Sequence, residues 1–461
     1  MTRVWRAVTG SRSRAGVASR SVAWLLGAVL VAAVLLGIGV LVPVSLPVAA
    51  AATLLVLAVG LTVYDPVAVP VLAMPALVVV QRVGGGGVDL SLSDLALAAA
   101  FGFAVVFAPR PFSPPMRTLL WLTAVYQVTT LFTVIAHPYV QNTVEWFHAW
   151  LSTGGALVVG WAVGRGGRAR LGLNLLLVPC LVIAVLTCLV ALRQLAGGNT
   201  GAVYLEWPIP MHKNFIGCVL GMAAVLVHAR PTWVAWPRWF TVPALTLLCA
   251  GVVASQARQA LVGLVVGILV VSLRPDPHRR RSRLVLLGIV PALYFVVTVV
   301  REQLASGDQF NSAYQRLSWY QQAIDVWRQD PLFGVGLRWW VAGRTEYTFQ
   351  PPNAELEVLS SAGVVGLVGF LLLFLGGVVV LWRLDPRYGT TAVAVLLVRF
   401  TQGQFDLFWV SVQVTLPFVV AGVCLGAESL ARARRLEAGS APPLARLTGG
   451  LAPPRTLVGA R

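Results

Sequence analysis

Long apolar runs recur along the whole chain, broken by short polar or arginine-bearing interruptions. A bilayer core needs about 20 apolar residues per helix. On that measure the spans fall at 21–42, 46–63, 67–83, 90–108, 117–136, 146–164, 171–193, 212–229, 239–254, 259–273, 284–301, 356–382, 389–402 and 410–427. The pattern predicts an all-α, polytopic transmembrane helical bundle of about 12–14 spans with one large helical outer loop. Three runs (239–254, 259–273 and 389–402) are short, which suits re-entrant or tightly packed helices.

Orientation follows from arginine placement in the short loops. Under strict alternation the basic N-terminus, Arg110/Arg117, Arg165/Arg168/Arg170, Arg230/Arg238, Arg274 to Arg283, Arg383/Arg387 and Arg432–Arg435 share one side. That side is expected to be the cytoplasm, with both termini on it. The expected organisation is a basic N-terminus (1–20), a transmembrane bundle (21–301), a large extracytoplasmic loop (302–353), closing spans (354–428) and an unstructured tail (429–461). The run at 21–42 exceeds the usual signal-peptide core of about 7–15 residues, so it reads as an uncleaved first helix.

Composition supports the membrane reading. Only 11% of residues are charged, against roughly 25% in soluble domains. The net charge of +18 arises from 35 Lys+Arg against 17 Asp+Glu, but the cations cluster between apolar runs, the pattern of topology rather than of a nucleic-acid binder. The five cysteines all sit inside apolar runs with no paired or metal-ligand spacing.

Cations on the outer side run against the orientation rule, and four segments draw attention for that reason. At His212, Lys213 and Asn214 a helix opens from the outer side, where free N–H groups favour an anion. A polar cap with a snorkelling lysine explains the same residues. Arg258 sits in the turn between two short spans, where a half-buried guanidinium needs an anionic partner, either a protein carboxylate or a phosphate. In 311–340, Leu317, Tyr320, Ile324 and Trp327 recur at helical spacing, Ser312 can cap the start and Asp330-Pro331 ends it. With Trp319, Trp339 and Trp340 nearby, this reads as a helix lying at the interface, and Arg316 and Arg328 as either ligands or solvated charges. Last, Asn353, Glu355 and Glu357 cluster at a helix start, which capping alone explains.

In this order the segments resemble the O-antigen ligase and O-antigen polymerase (Wzy-type) family of bacterial membrane glycosyltransferases. The resemblance rests on H-K-N at 212–214, S-x-x-R at Ser255/Arg258, R-x-x-W at Arg316/Trp319, P-x-x-G-x-G at Pro331/Gly334/Gly336, and P-N-A-E-L followed by A-G-V-V-G at 352–366. It implies transfer of a glycan from an undecaprenyl-diphosphate-linked donor to a hydroxyl of a sugar or glycolipid acceptor, with no obligatory metal or cofactor and no partner beyond substrates and membrane lipid. Arg258 would be the principal diphosphate ligand, with His212, Lys213, Asn214, Arg316 and Asn353 as binding candidates and Glu355 as a catalytic one. The family usually places a histidine, a proposed general base, immediately before that asparagine, and this chain has Pro352. Ser361 likewise stands where a glutamate is common. Glu346, Glu355 or His212 takes the basic role, or activity is altered or lost. Two other readings stay open: a catalytically silent relative that binds the carrier lipid, and a lipid-linked oligosaccharide flippase or polysaccharide exporter.

Overall fold

The computed structural model describes residues 42–83, 90–276 and 312–440, with scattered positions between 33 and 40 and between 287 and 301. Most of the expected spans at 284–301 and 21–42 lies outside the described residues. The chain divides into two compact units, 1–65 and 66–461. Helix α1 (Leu46–Tyr64) belongs to the first.

Among the described residues the second unit is helical apart from one two-residue hairpin, β1 (Arg82–Val83) with β2 (Leu90–Ser91). Its helices are α2 (Ala68–Ala73), α3 (Leu92–Phe107), α4 (Pro114–Ala136), α5 (Val140–Trp150), α6 (Ala156–Arg165), α7 (Ala169–Ala196), α8 (Lys213–Ala229), α9 (Arg238–Ser255), α10 (Arg258–Leu273), α11 (Ser312–Trp327), α12 (Ala354–Trp382), α13 (Pro386–Gly403) and α14 (Ser411–Ser440). Among the described residues, α4, α7, α9, α12 and α14 are long and apolar enough to cross a membrane. The protein is an all-α, multi-pass membrane protein.

Two expectations change. The run at 67–83 is one six-residue helix and a 3-10 turn (Ala76–Val78) rather than a span. Pro75 has no N–H to give a continuing helix, and its ring crowds the preceding turn. At the other end α14 runs on to Ser440 instead of stopping near 428. The sequence ESLARARRLEA is rich in helix formers, and Arg432 bonds Glu428 one turn back at 2.6 Å.

The innermost wall is α14, whose apolar stretch is 83% buried, whereas those of α4, α7 and α9 are only 33% buried. It meets α6 backbone to backbone. Gly160 and Gly164 face Gly422 and Gly426, and a Cβ on any of the four would strike the other helix's main chain. These are two facing G-x-x-x-G pairs, the small-residue contact that lets helices associate where apolar burial supplies no drive. At one end of the bundle Arg274 donates to the Trp382 and Leu384 carbonyls (2.6 and 2.9 Å) and covers the end of α12. The candidate residues gather at the opposite ends of α10 and α12.

Candidate functional site

The segment joining α11 to α12 is seated before any site exists. Asp330 ends the turn after α11, its carboxylate accepting from Phe333 N at 3.2 Å. Gly334 and Gly336 then lie at φ +69 and +112. The N–H groups of Val335 and Gly336 donate to the Ser360 and Ser361 carbonyls (3.1 and 3.0 Å). In return, Val364 and Val365 donate to the Pro331 and Leu332 carbonyls (2.9 and 3.2 Å). This exchange requires α12 to open at Gly363, whose φ and ψ of 64 and −167 only glycine adopts readily. The P-x-x-G-x-G and A-G-V-V-G motifs are therefore the two halves of one docking contact. The segment also has its own small core of Val326, Val335 and Trp339.

That core revises the expected face of α11. Ala323 and Val326 are buried while Leu317 is 56% exposed. Trp339 is fully enclosed, its indole N–H donating to Ser360 Oγ at 3.3 Å. Trp319 stacks on Phe349 with centroids 5.5 Å apart. Packing against Val335 and Trp339 turns the Ala323 and Val326 face inward in place of the expected stripe.

The α11 helix carries Arg316, and Tyr320 one turn later donates to the Pro352 carbonyl at 3.4 Å, tying the helix to the start of α12. Burial pushes the Tyr320 phenol up, against the opposing pull of Arg316. In S-x-x-R, Ser255 makes the turn: its hydroxyl donates to Val252 O (2.7 Å) and accepts from Ala257 N (3.3 Å), after which Arg258 begins α10. Lys213 begins α8, capped by His212. Lys213 lies within electrostatic reach of both Arg258 and Arg316, and Arg258 of Arg316. Three cations from three helices share one locality, each half-buried.

What holds them there was invisible in the sequence. The α13–α14 connection inserts Asp406, which accepts from Asn214 Nδ2 and Gln259 Nε2, one amide to each oxygen at 3.1 Å. One carboxylate thus pins the first turns of α8 and α10. Two residues earlier, Gln404 accepts from Asn353 Nδ2 through its carbonyl (3.2 Å) and donates its amide to Glu355 Oε1 (2.8 Å). Asn353 also caps α12 by accepting from Leu356 N at 2.9 Å. Glu355 Oε2 is buried and has no hydrogen-bond partner.

The candidate bases separate on this geometry. His212 Nδ1 accepts from Asn214 N at 3.2 Å, so a neutral ring carries its proton on Nε2 and offers a donor rather than a lone pair. Glu346 is exposed and pairs with Tyr347. Glu355 alone of the three couples a fixed oxygen to an open one.

The connection is itself clamped by Arg399, a fully buried arginine on α13. Its guanidinium donates to Gln413 Oε1 (2.6 Å), to Leu407 O (2.8 Å) and to Phe408 O, and lies over the Phe408 ring. A charge inside a span is itself a signal of function or scaffold, and it was available at position 399. Replacing it with methionine keeps the volume but orphans three acceptors, and should cost about 3 kcal/mol or more. Thermal unfolding in detergent should show a clear drop for Arg399→Met and a partial one for Arg399→Lys, whose ammonium lacks the fork. Equal unfolding temperatures for all three proteins would rule out the clamp.

No curated protein matches the chain. Residues 243–371 match a family model described as O-antigen ligase, a stretch containing Arg258, Arg316, Asn353, Glu355 and both halves of the docking contact. With helices long and apolar enough to cross a membrane on either side of it, this stretch of the chain is similar to the Wzy_C domain described as O-antigen ligase.

Proposed function

We infer that the protein transfers a glycan from an undecaprenyl-diphosphate-linked donor to an acceptor hydroxyl at the outer face of the plasma membrane. The observation that carries this reading is the convergence of Lys213, Arg258 and Arg316, with Glu355 held by Gln404 on the same connection whose Asp406 pins the first turns of α8 and α10. Like charges are gathered at a cost, which an arriving diphosphate offsets.

The reaction is a displacement at the anomeric carbon. The acceptor oxygen forms the new bond to that carbon while the bond to the diphosphate oxygen breaks. The hydroxyl proton passes to Glu355 Oε2, and the departing pair of electrons stays on the diphosphate. Arg258, with its planar fork, holds the diphosphate, and Lys213 and Arg316 stabilise the charge that grows on it. Asp406, Gln259 and Gln404 are positioning residues. Pro352 does not silence the site, because Glu355, one helical turn further on, supplies the base. An exporter would place its cations midway along a two-sided passage, whereas here Lys213 and Arg258 stand at the first turns of α8 and α10 and Arg316 on α11.

Glu355→Gln tests the assignment, since it keeps the Gln404 contact but cannot take a proton. The turnover of lipid-linked donor by purified protein should fall by about 10²–10⁴-fold with the KM for donor little changed. Undiminished turnover in a stably folded variant would remove Glu355 from the mechanism.

A further inference from the structure

The first turns of α12 have a second side. There a cavity of about 240 Å³ opens between α3, α4, α5, the 337–340 segment, α12 and the start of α14. It shares two structures with the site above: α12, which sends Glu355 one way and Glu357 and Ser361 the other, and the α13–α14 connection, whose Asp406 holds the cations and whose following residues line the cavity.

Its polar groups are built in, not incidental. Asp94 Oδ2 accepts from Ser91 N at 2.8 Å, while Oδ1 accepts from His148 Nε2 at 3.1 Å and from Ser411 Oγ. His148 Nδ1 reaches Glu145 Oε1 at 3.3 Å. The other Glu145 oxygen lies 3.9 Å from Arg338, beyond a hydrogen bond. Glu357 Oε1 accepts from Gln350 at 2.8 Å and Oε2 from Phe408 N at 3.3 Å. Ser361 is 3% exposed, lines the cavity and has a hydroxyl without any partner. A buried hydroxyl left unpaired costs free energy that a ligand recovers.

The lining selects the chemistry of that ligand. The three carboxylates (Asp94, Glu145 and Glu357) are matched by Arg82, Arg338 and His148, so the lining favours neither an anion nor a cation, and among the described residues no group of side chains is arranged to hold a metal ion. The polar floor disfavours an acyl chain. Tyr126, Trp340 and Trp409 supply flat apolar walls, with Tyr126 stacked on Trp409 at 5.5 Å and 6°. Flat walls beside an unfilled hydroxyl suit a neutral ring that is apolar on its faces and carries hydroxyls on its rim. The volume admits something small. We propose that this cavity binds a neutral sugar ring of the acceptor next to the one that reacts, with Ser361 Oγ hydrogen-bonding a ring hydroxyl. The identification of the ring as the acceptor's rests on the transfer reaction above.

The test uses the full chain in lipid nanodiscs and a panel of methyl glycosides of glucose, galactose, N-acetylglucosamine and rhamnose, followed by saturation-transfer NMR titration. At least one glycoside should bind saturably. That binding should weaken by about tenfold in Trp340→Ala and in Ser361→Val, persist in Arg258→Ala, and withstand excess inorganic pyrophosphate. Two variants in different elements guard against one that misfolds, and unfolding temperatures check both. No binding by any glycoside, binding indifferent to both variants, or displacement by pyrophosphate overturns the proposal. Transfer assays score the other reading separately: binding that persists in a protein shown to transfer nothing sinks the transfer reading and leaves the sugar site standing.

Discussion

Removal of the Arg258 guanidinium should abolish most glycan transfer while leaving the bundle folded. In Arg258→Ala, turnover with a purified lipid-linked donor should fall by about 10²–10³-fold, or ~2.7–4 kcal/mol, the usual loss when one preorganised donor to a developing charge is deleted. The physical reason lies in where charge appears. The scissile bond joins carbon to diphosphate oxygen, so its cleavage concentrates negative charge beside whichever cations are fixed in place beforehand. Arg258 is fixed by the turn that Ser255 makes and by Gln259, the next residue, held on Asp406.

Its effect should exceed those of Lys213→Ala and Arg316→Ala, because a planar fork can meet two phosphate oxygens at once and an ammonium meets them as a point charge. Arg258→Lys should recover only part of the activity. The three single losses should not add, since all act on one ligand. An Arg258→Ala variant that unfolds at the wild-type temperature and transfers at the wild-type rate would sink the diphosphate assignment and the function built on it.

How far the sequence carried this picture depends on the scale of the signal. Long apolar runs are read at the resolution of a whole helix, so α4, α7, α8, α10 and α12 fall close to their expected positions. The misread run at 67–83 contained its own correction in Pro75. Motif order brought Lys213, Arg258 and Arg316 into one hypothesis, and the fold brings them into one locality. The residues that organise the site were missed because their partners are distant in sequence: Asp406 meets Asn214 and Gln259 across separations of 192 and 147 residues. No local pattern marks such a residue. Arg399 and the two G-x-x-x-G pairs are a different case, since each was visible as a charge or a glycine spacing inside a span. Gly334 and Gly363 stood in two separate motifs, and only the exchange of backbone hydrogen bonds shows that they answer one another.

That exchange yields the second large effect. Gly363→Ala should detach the 331–336 segment from α12, because two penalties coincide. The backbone at φ 64 and ψ −167 is essentially closed to a residue with a Cβ, which costs about 1–3 kcal/mol. The added methyl would also drive into the Leu332 carbonyl, a main-chain atom with nowhere to go while Val365 N remains bonded to it. Gly343 separates these terms. It too has a positive φ, +62, but a Cβ there would meet nothing within 4 Å. Gly343→Ala should therefore show the backbone strain alone, and Gly363→Ala the strain plus the collision, together ~4 kcal/mol or more. The difference should appear as a lower unfolding temperature and as faster proteolysis between 328 and 353, with transfer lost even though every charged residue is present. If the two alanine variants unfold together and are cut at the same rate, the docking contact does not hold the segment, and the cations of α11 must owe their position to something else.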